Sequence, residues 1–343
     1  MKKVVIHKAG GFEQLILEEH PSPQAGKYEI KIAVKAIGVN YADVVIRWGL
    51  YRSAKEFVGW PITPGFEVAG TVIEVGSDVG SFAPGQEVFA VTLFNGYSTE
   101  ICIPQHQVFH KPAKLTMEEA AGFPAVFLTA YHAVHQNIII RENMKVLIHS
   151  AAGGVGSSLV QLCKLKGCEI IAIVGGEHKI ETAKNMGADH VLDRYTTNIW
   201  SETAKIFPQG SDVIFDANGG ESLKKGFNAL AKGGKIVVYG THSILPDKSG
   251  RINWIKLIYS FLTAARFHSL KLNTRSIINF NLSFMFHEKE LLAEAMKDLI
   301  NWVEHDQIKP LKVSTFRLEN VADAHKAIQS GKTVGKLILT NNE

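Results

Sequence analysis

Apolar residues follow two different patterns along the chain, and the change between them divides it into three sections. Residues 1 to about 123 contain short apolar runs bounded by Gly, Pro and Asp, which are typical of strands. These runs are Val4–His7, Ile30–Ala36, Glu67–Val75 and Glu87–Val91. Proline recurs throughout this section and argues against long helices, until Met117 opens a helical stretch. The first section is therefore predicted to be β-rich.

Between about 124 and 286, runs of strand length alternate with stretches of helical spacing. The predicted strands are Lys145–His149, Glu169–Val174, His190–Asp193, Asp212–Asp216 and Lys235–Tyr239. Helical spacing is found at His178–Met186 and Ser222–Ala231. This alternation predicts an α/β fold with an open parallel sheet and right-handed crossovers. The last section has a predicted helix, strand, helix and strand at Glu288–His305, Lys312–Phe316, Val321–Ser330 and Lys336–Leu339.

A turn of small residues, SAAGGVG at 150–156, follows the first strand of the alternating section. Its pattern is Ala151-x-Gly153-x-x-Gly156, and apolar residues then recur at helical spacing. Strand, small-residue turn and helix open a dinucleotide-binding unit, in which a pyrophosphate lies on the helix N-terminus. A glycine turn alone is a weak signal, but the repeated strand–helix units after it favour nucleotide binding. Gly153, Gly154 and Val155 are the expected contacts.

Composition and charge narrow the class of protein. A length of 343 residues predicts about two domains, and a 46% hydrophobic fraction is ordinary for a globular protein. The net charge of +4 comes without a basic run, so nucleic-acid binding has little support. Three cysteines make no disulfide framework and indicate a reducing compartment, which favours the cytoplasm. The chain has no signal-peptide pattern at its start and no apolar stretch long enough to span a membrane.

Several stretches resemble the zinc-independent quinone oxidoreductases of the medium-chain dehydrogenase/reductase superfamily. They are GVNYADVVIRWGLY at 38–51, PGFEVAGTVIEVG at 64–76 and HSAAGGVG at 149–156. FDANGG at 215–220, the extra segment after Gly240 and NFNLSFMF at 279–286 further resemble the vesicle amine transport protein branch. The resemblance implies a GroES-like β-rich catalytic domain made of residues 1–123 and 287–343. It also implies a Rossmann NADP-binding domain, a doubly wound parallel sheet, at 124–286 with a helical insertion at about 250–272.

The resemblance bears directly on metal binding. In the zinc-dependent members, a Cys and a His occupy the positions of Asn40 and Phe66, and neither residue found here is a usual zinc ligand. Three cysteines cannot build a four-cysteine structural site. A His pair at helical spacing in a helical stretch, His132 and His135, lacks a nearby third ligand and is interpreted as partly exposed helix residues. We therefore expect a site without metal.

Without a metal, the nicotinamide carries the reaction and the protein supplies position and hydrogen bonds. The resemblance places Asn40, Asp43, Arg47 and Tyr51 at the nicotinamide and substrate side. Asn40 and Tyr51 are the candidate catalytic residues, since both can donate to a carbonyl that gains negative charge. Two alternatives stay open: Tyr51 packs its loop, and Asp43 only braces it.

The end of the second predicted strand bears on the choice of cofactor. An NAD site commonly places an acidic residue there, and this chain has Val174 followed by Gly175, which leaves room for a phosphate. Lys179 matches the family's lysine for the 2′-phosphate, and Arg194 stands where the family often has Tyr. Glu177 is able to accept a ribose hydroxyl, although it also suits the first turn of a helix. NADPH is the predicted cofactor.

Further cofactor contacts are implied by position in the family pattern, with packing as the alternative for several of them. They are Asn40, Thr129, Asn218, Gly240, Thr241, Phe280, Leu282 and Lys336.

The predicted function is zinc-independent transfer of hydride from NADPH to a quinone or an α,β-unsaturated carbonyl. The alternatives are a catalytically weak NADPH-binding protein and a membrane- or lipid-associated protein of the vesicle type. One face of Asn253–Ser269 is apolar, which fits a lid over the substrate, shallow membrane contact or core packing. Ser276–Phe286 is predicted as the last, edge strand of the parallel sheet. Pairing of that edge across a two-fold axis predicts a homodimer.

Overall fold

A computed structural model of the protein describes residues 1–240 and 274–341. The chain forms a first unit, Met1–Leu128 with Leu282–Glu343, and a second unit, Thr129–Asn281. The sequence placed these boundaries at 123/124 and 286/287. The helical insertion expected at about 250–272, the apolar segment Asn253–Ser269 and the expected cofactor contact Thr241 lie outside the described residues.

The strands are, in chain order, β1 (Lys2–Val5), β2 (Ile16–Glu19), β3 (Glu29–Val39), β4 (Glu67–Val75), β5 (Glu87–Val91), β6 (Glu100–Pro104), β7 (Val108–His110), β8 (Lys145–Ile148), β9 (Glu169–Val174), β10 (His190–Asp193), β11 (Ser211–Asp216), β12 (Leu230–Val238), β13 (Ser276–Asn279), β14 (Val313–Arg317) and β15 (Lys336–Thr340).

The α-helices are α1 (Tyr41–Arg47), α2 (Arg52–Phe57), α3 (Met117–Ala121), α4 (Pro124–Tyr131), α5 (Gly154–Leu165), α6 (Ile180–Asn185), α7 (Ile199–Ile206), α8 (Glu221–Ala229), α9 (Lys289–Glu304) and α10 (Val321–Gln329). A π-helical turn, His132–Gln136, continues α4. Short 3₁₀ turns lie at Phe12–Gln14, Gln105–Gln107, Glu177–Lys179, Leu282–Met285 and Leu318–Asn320.

The second unit is a parallel sheet whose described strands follow the order β10-β9-β8-β11-β12-β13. This is the doubly wound Rossmann order, and it reverses between β8 and β11. The inner strands β8, β9 and β11 are largely buried and rich in apolar residues, as is typical of parallel strands whose two faces are covered by helices, whereas β13 at the edge is mostly exposed. One core cluster joins Leu147, Ile171, Ile214 and Ile236 from four neighbouring strands. Ligands of such sheets bind outside the carboxyl ends of the strands at the point of reversal.

The first unit is a GroES-like β-rich body made from both ends of the chain. Its larger described sheet runs β14-β15-β3-β4-β5-β7, with β6 also paired to β3, and β1 pairs with β2. The C-terminal β15 lies antiparallel to β3, with Leu337 opposite Val39. The α/β fold with these two architectures is therefore confirmed.

Several local expectations are wrong in detail. The short helices α1 and α2 were not predicted, since each is only about two turns long in a section read as strands. Within the expected edge strand at 276–286, only Ser276–Asn279 is strand, because the chain turns into 3₁₀ geometry at Leu282–Met285. His132 is buried rather than partly exposed, and its Nδ1 lies 2.7 Å from Gln136 Oε1 within the π turn.

Helices able to cross a bilayer are absent from the described parts of the chain, residues 1–240 and 274–341.

Candidate functional site

The small-residue turn of the second unit leads directly into helix α5. Gly153 is the N-cap of this 12-residue helix, with extended backbone, and its N–H donates to the Ser150 carbonyl at 2.9 Å. A Cβ at Gly156 would overlap the Ser150 carbonyl oxygen, so only glycine lets the turn pass this close to the helix. Gly153, Gly154 and Val155 are half-buried at the first turn. Their position offers backbone N–H groups and the positive end of the helix dipole to an anion.

The loop after β9 is held from the neighbouring strand by Asp193. Asp193 Oδ1 accepts hydrogen bonds from the N–H groups of Gly176 and Tyr195, each at 3.0 Å. The guanidinium of Arg194 lies against Gly175, where an added Cβ would approach Arg194 Nη2 to 3.0 Å. Gly175 therefore makes room for a cation beside the end of β9.

Lys179 brings a second cation to the same loop. It is only 9% exposed, and burial together with the charge of Arg194 lowers the pKa of its ammonium group. Two neighbouring cations, one of them desolvated, repel each other, and a bound anion relieves that cost. The residues present thus fit a phosphate group at this loop.

At the point where the strand order reverses, His149 follows β8 and Asp216 ends β11. Asp216 Oδ1 accepts the N–H groups of Asn218 at 2.7 Å and Gly219 at 3.3 Å, so the carboxylate shapes the loop that carries Asn218. Burial lowers the pKa of His149, an effect that the nearby Asp216 opposes.

The other residues of the second unit that were expected to contact the cofactor lie on different elements. Thr129 is a half-buried residue of α4. Gly240 lies against the loop after β11, where an added Cβ would be 2.6 Å from the Ala217 carbonyl oxygen. The ring of Phe280 packs edge-on against His132, with centroids 4.8 Å apart.

In the first unit, Asn40 and Asp43 form a capping box at the start of α1. The Asn40 N–H donates to Asp43 Oδ2 at 2.8 Å, and the Gly65 N–H donates to Asp43 Oδ1 at 3.0 Å. Asp43 therefore braces this loop against the segment before β4. Its carboxyl is fully buried, which raises its pKa to about 7 in spite of these donors.

A line of buried side chains continues from Asp43 to Arg47. The Tyr97 hydroxyl donates to Asp43 Oδ2 at 3.0 Å and lies 3.2 Å from His325 Nε2, and His325 Nδ1 lies 3.2 Å from Arg47 Nη1. Arginine can only donate, so Nδ1 accepts and Nε2–H donates to Tyr97. Arg47 is 1% exposed and stacks on Phe12, which corrects the expectation that it faces a substrate.

Asn40 also belongs to a second buried cluster, with Glu67 and Lys336. Lys336 Nζ lies 2.6 Å from Glu67 Oε1 and 2.6 Å from Asn40 Oδ1, and Asn40 Nδ2 donates to Glu67 Oε1 at 2.9 Å. Glu67 is not among the residues that the sequence predicted for the site. An acidic residue that opens an otherwise apolar strand was the available signal, since a buried carboxylate requires a partner.

Tyr51 stands at the start of α2 and combines a polar and an apolar contact. Its hydroxyl is 3.3 Å from Ser283 Oγ, and its ring packs edge-on against Phe66, with centroids 5.6 Å apart. Ser53 Oγ also lies 2.9 Å from Ser283 Oγ, and Leu282 precedes this serine. Half-buried Tyr51 thus packs its loop with its ring and also carries a hydroxyl that can donate a hydrogen bond.

Groups of three or more His, Cys, Asp or Glu placed to hold a metal ion are not found among the described residues. Cys163 and Cys168 are buried free thiols.

Comparison with known proteins relates both units to dehydrogenases. The family model for the alcohol dehydrogenase GroES-like domain matches residues 26–141, and the zinc-binding dehydrogenase model matches residues 154–275. The mouse (Mus musculus) synaptic vesicle membrane protein VAT-1 homolog is 32% identical over 99% of this chain and 83% of its own length.

Two solved structures cover almost the whole chain. The Escherichia coli quinone oxidoreductase complexed with NADPH has a TM-score of 0.85 at 26% identity, covering 99% of this chain and 100% of that one. The CurK enoyl reductase has a TM-score of 0.85 at 26% identity, covering 99% of this chain and 98% of that one.

Proposed function

The chain belongs to the medium-chain dehydrogenase/reductase superfamily as a quinone oxidoreductase-like protein near the VAT-1 homologues, and from this premise we propose its reaction. Membership of this family makes it an oxidoreductase. We propose that it uses NADPH to reduce a quinone or an α,β-unsaturated carbonyl, without zinc. Relatives named as quinone oxidoreductase and enoyl reductase support both classes of acceptor.

The observation that carries this proposal is the pair of cations beside the end of β9. Lys179 and Arg194 lie at the strand end where Val174 replaces the acid of many NAD sites, and they suit the 2′-phosphate of NADPH. The N-terminus of α5, with Gly153, Gly154 and Val155, suits the pyrophosphate. We propose Thr129, Asn218, Gly240, Thr241, Phe280 and Leu282 as further contacts. Bound NADPH supplies the hydride, and the chain supplies binding and orientation.

The first unit offers hydrogen-bond donors for the acceptor. Reduction of a conjugated carbonyl leaves negative charge on an oxygen, and donors aimed at that oxygen stabilise it. The carboxamide of Asn40 and the hydroxyl of Tyr51 are the proposed donors. Asn40 has a fixed orientation, since both ends of its side chain are hydrogen-bonded.

A reaction without zinc is supported by the residues at the expected ligand positions. Phe66 has no ligating atom, and the ammonium of Lys336 lies 2.6 Å from Asn40 Oδ1, where it would repel a metal cation. Alcohol oxidation is correspondingly disfavoured, because it needs the alkoxide to be stabilised.

A screen of acceptors with NADPH tests the proposal. Purified protein is incubated with NADPH and a series of quinones, enones and simple alcohols or ketones, with and without a zinc chelator. We expect NADPH oxidation with quinones or enones that the chelator leaves unchanged. Equal rates with NADH, or turnover of simple alcohols that requires zinc, would contradict it.

The name of the VAT-1 homologues favours a second candidate, a membrane-associated protein with weak catalysis. Co-sedimentation with liposomes in the absence of turnover would support this candidate over the enzyme. Under the main proposal the protein works in the cytoplasm as a homodimer on a small-molecule acceptor.

A further inference from the structure

Asn40, Glu67 and Lys336 form a closed triangle of buried hydrogen bonds in the first unit. Lys336 Nζ donates to Asn40 Oδ1 and to Glu67 Oε1, both at 2.6 Å, and Asn40 Nδ2 donates to Glu67 Oε1 at 2.9 Å. The carboxamide of Asn40 thus has a cation at its oxygen and an anion at its nitrogen. Rotating the amide by 180° would place oxygen against carboxylate and N–H against ammonium, so the charges permit one orientation.

The surrounding backbone is shaped to hold this ion pair. The side chains of Lys336 and Glu67 are 3% and 0% exposed, and the Ala125 N–H donates to Glu67 Oε2 at 2.8 Å. A glycine lies beside each of the two side chains and leaves room for it. A Cβ at Gly38 would overlap Glu67 Oε1, and a Cβ at Gly122 would lie 2.7 Å from Lys336 Cγ. Both carboxylate oxygens of Glu67 therefore accept hydrogen bonds, and these fix the position of its side chain.

We propose that Lys336 and Glu67 are positioning residues that act through Asn40. They hold its carboxamide in one orientation. One of the two hydrogens on Asn40 Nδ2 is then donated to Glu67, and the second hydrogen points to the oxygen of the acceptor. This inference rests on the proposed function and deepens it. It assigns Lys336 an indirect role in place of the cofactor contact implied by its position in the family pattern.

A double-mutant cycle separates the indirect role from direct cofactor contact. Lys336→Met is expected to lower kcat with a quinone about 10- to 100-fold, somewhat less than the loss of a whole donor at such a site. The KM for NADPH should change little. In an Asn40→Ala background, Lys336→Met should have no further effect on kcat, because the group it positions is gone. Additive effects, or a raised KM for NADPH with kcat intact, would overturn the proposal.

A second variant serves as the control in case Lys336→Met alone does not fold. Lys336→Met alone leaves Glu67 buried without its cation, whereas Glu67→Gln with Lys336→Met removes both charges together. This double variant should melt as a cooperative, folded protein and still lose kcat, since Asn40 Oδ1 has lost its donor. A folded double variant with wild-type kcat would refute the positioning role.

The orientation of Asn40 can also be followed without catalysis. Its side-chain NH₂ signals in a ¹⁵N–¹H spectrum are assigned by their absence from Asn40→Ala. They should shift in Lys336→Met, and unchanged signals would overturn the inference. If the signals respond but wild-type protein reduces no acceptor, the proposed reaction fails while the triangle's control of Asn40 stands.

Discussion

Asp43 and His325 are buried in one line of hydrogen bonds, and burial shifts their pKa values in opposite directions. The pKa of Asp43 is raised to about 7, and the pKa of His325 is lowered to about 3 by burial and by Arg47. Between pH 4 and 6 the native state holds a proton on Asp43, while the unfolded state holds one on His325 instead. The two contributions to the pH dependence of stability therefore offset each other in the wild-type protein.

Single substitutions should expose each contribution. In Asp43→Asn, His325 remains and binds a proton only when unfolded, so stability should rise more steeply from pH 4 to 6 than in the wild type. In His325→Gln, Asp43 remains and binds its proton only when folded, so stability should rise less or fall over the same range. Each change in slope is at most about 1.4 kcal/mol per pH unit, measured by urea unfolding. Identical slopes in all three proteins would contradict the assignment.

Lys179 is the residue on which the choice of cofactor depends most. Lys179→Ala should weaken NADPH binding by about 1.5–3 kcal/mol, the value of a charged hydrogen bond. Its effect on NADH should be small, because NADH has no 2′-phosphate. Fluorescence titration of both cofactors measures this, with the exposed Lys184→Ala in α6 as the matched control. Equal losses for NADH and NADPH would count against the phosphate contact.

At the scale of single elements, helix α5 depends on how closely the preceding turn approaches it. The glycine pattern predicted the turn, but its two glycines have different surroundings. An added Cβ at Gly156 would overlap the Ser150 carbonyl oxygen, whereas one at Gly153 would have its nearest atom at 3.3 Å. Gly156 is thus required by packing, and Gly153 stands at the open end of the helix.

We expect Gly156→Ala to lower the free energy of unfolding by about 1–3 kcal/mol, the usual cost of overpacking. Gly153→Ala should cost clearly less. Thermal unfolding followed by circular dichroism compares the two variants. An equal loss in both would show that the close approach of Gly156 to the Ser150 carbonyl does not govern stability.

At the scale of the whole molecule, the edge strand β13 bears on whether two copies of the chain form a dimer. Ser276–Asn279 is the edge strand of the parallel sheet as far as the chain is described, paired with β12 on one side, and Ile277 is 36% exposed. An apolar sheet edge favours pairing with another chain. This supports the proposed homodimer.

Light scattering at micromolar protein should give twice the chain mass of 37.7 kDa. Ile277→Lys, which places a charge on the edge strand, should shift the mass towards the monomer. Ile73→Lys, at an exposed isoleucine of the first unit, is the matched control and should leave the mass unchanged. A monomeric wild-type protein would contradict the dimer.

The local pattern of the sequence was sufficient for the class of fold and for most of the longer strands, although β2, β6 and β7 were not predicted. β4, β5 and β10 have the bounds that their apolar runs predict, because the apolar residues that mark a strand follow one another closely in the sequence. The Gly-rich turn likewise predicted that a helix follows β8, and that helix is α5. Short elements such as α1 and α2 were missed, since two turns of helix carry little periodicity.

Only the tertiary structure decided which buried polar groups meet. Lys336 reaches Asn40 across 296 positions, and His325 reaches Arg47 across 278. Nothing local distinguishes these residues from solvent-exposed Lys or His, because a buried polar group is stabilised by whatever lies beside it in space. Periodicity along the chain therefore determined which stretches form strands and helices and which class of fold they build. The folded arrangement alone determined that Arg47 lies in the interior and that Lys336 and Glu67 hold Asn40.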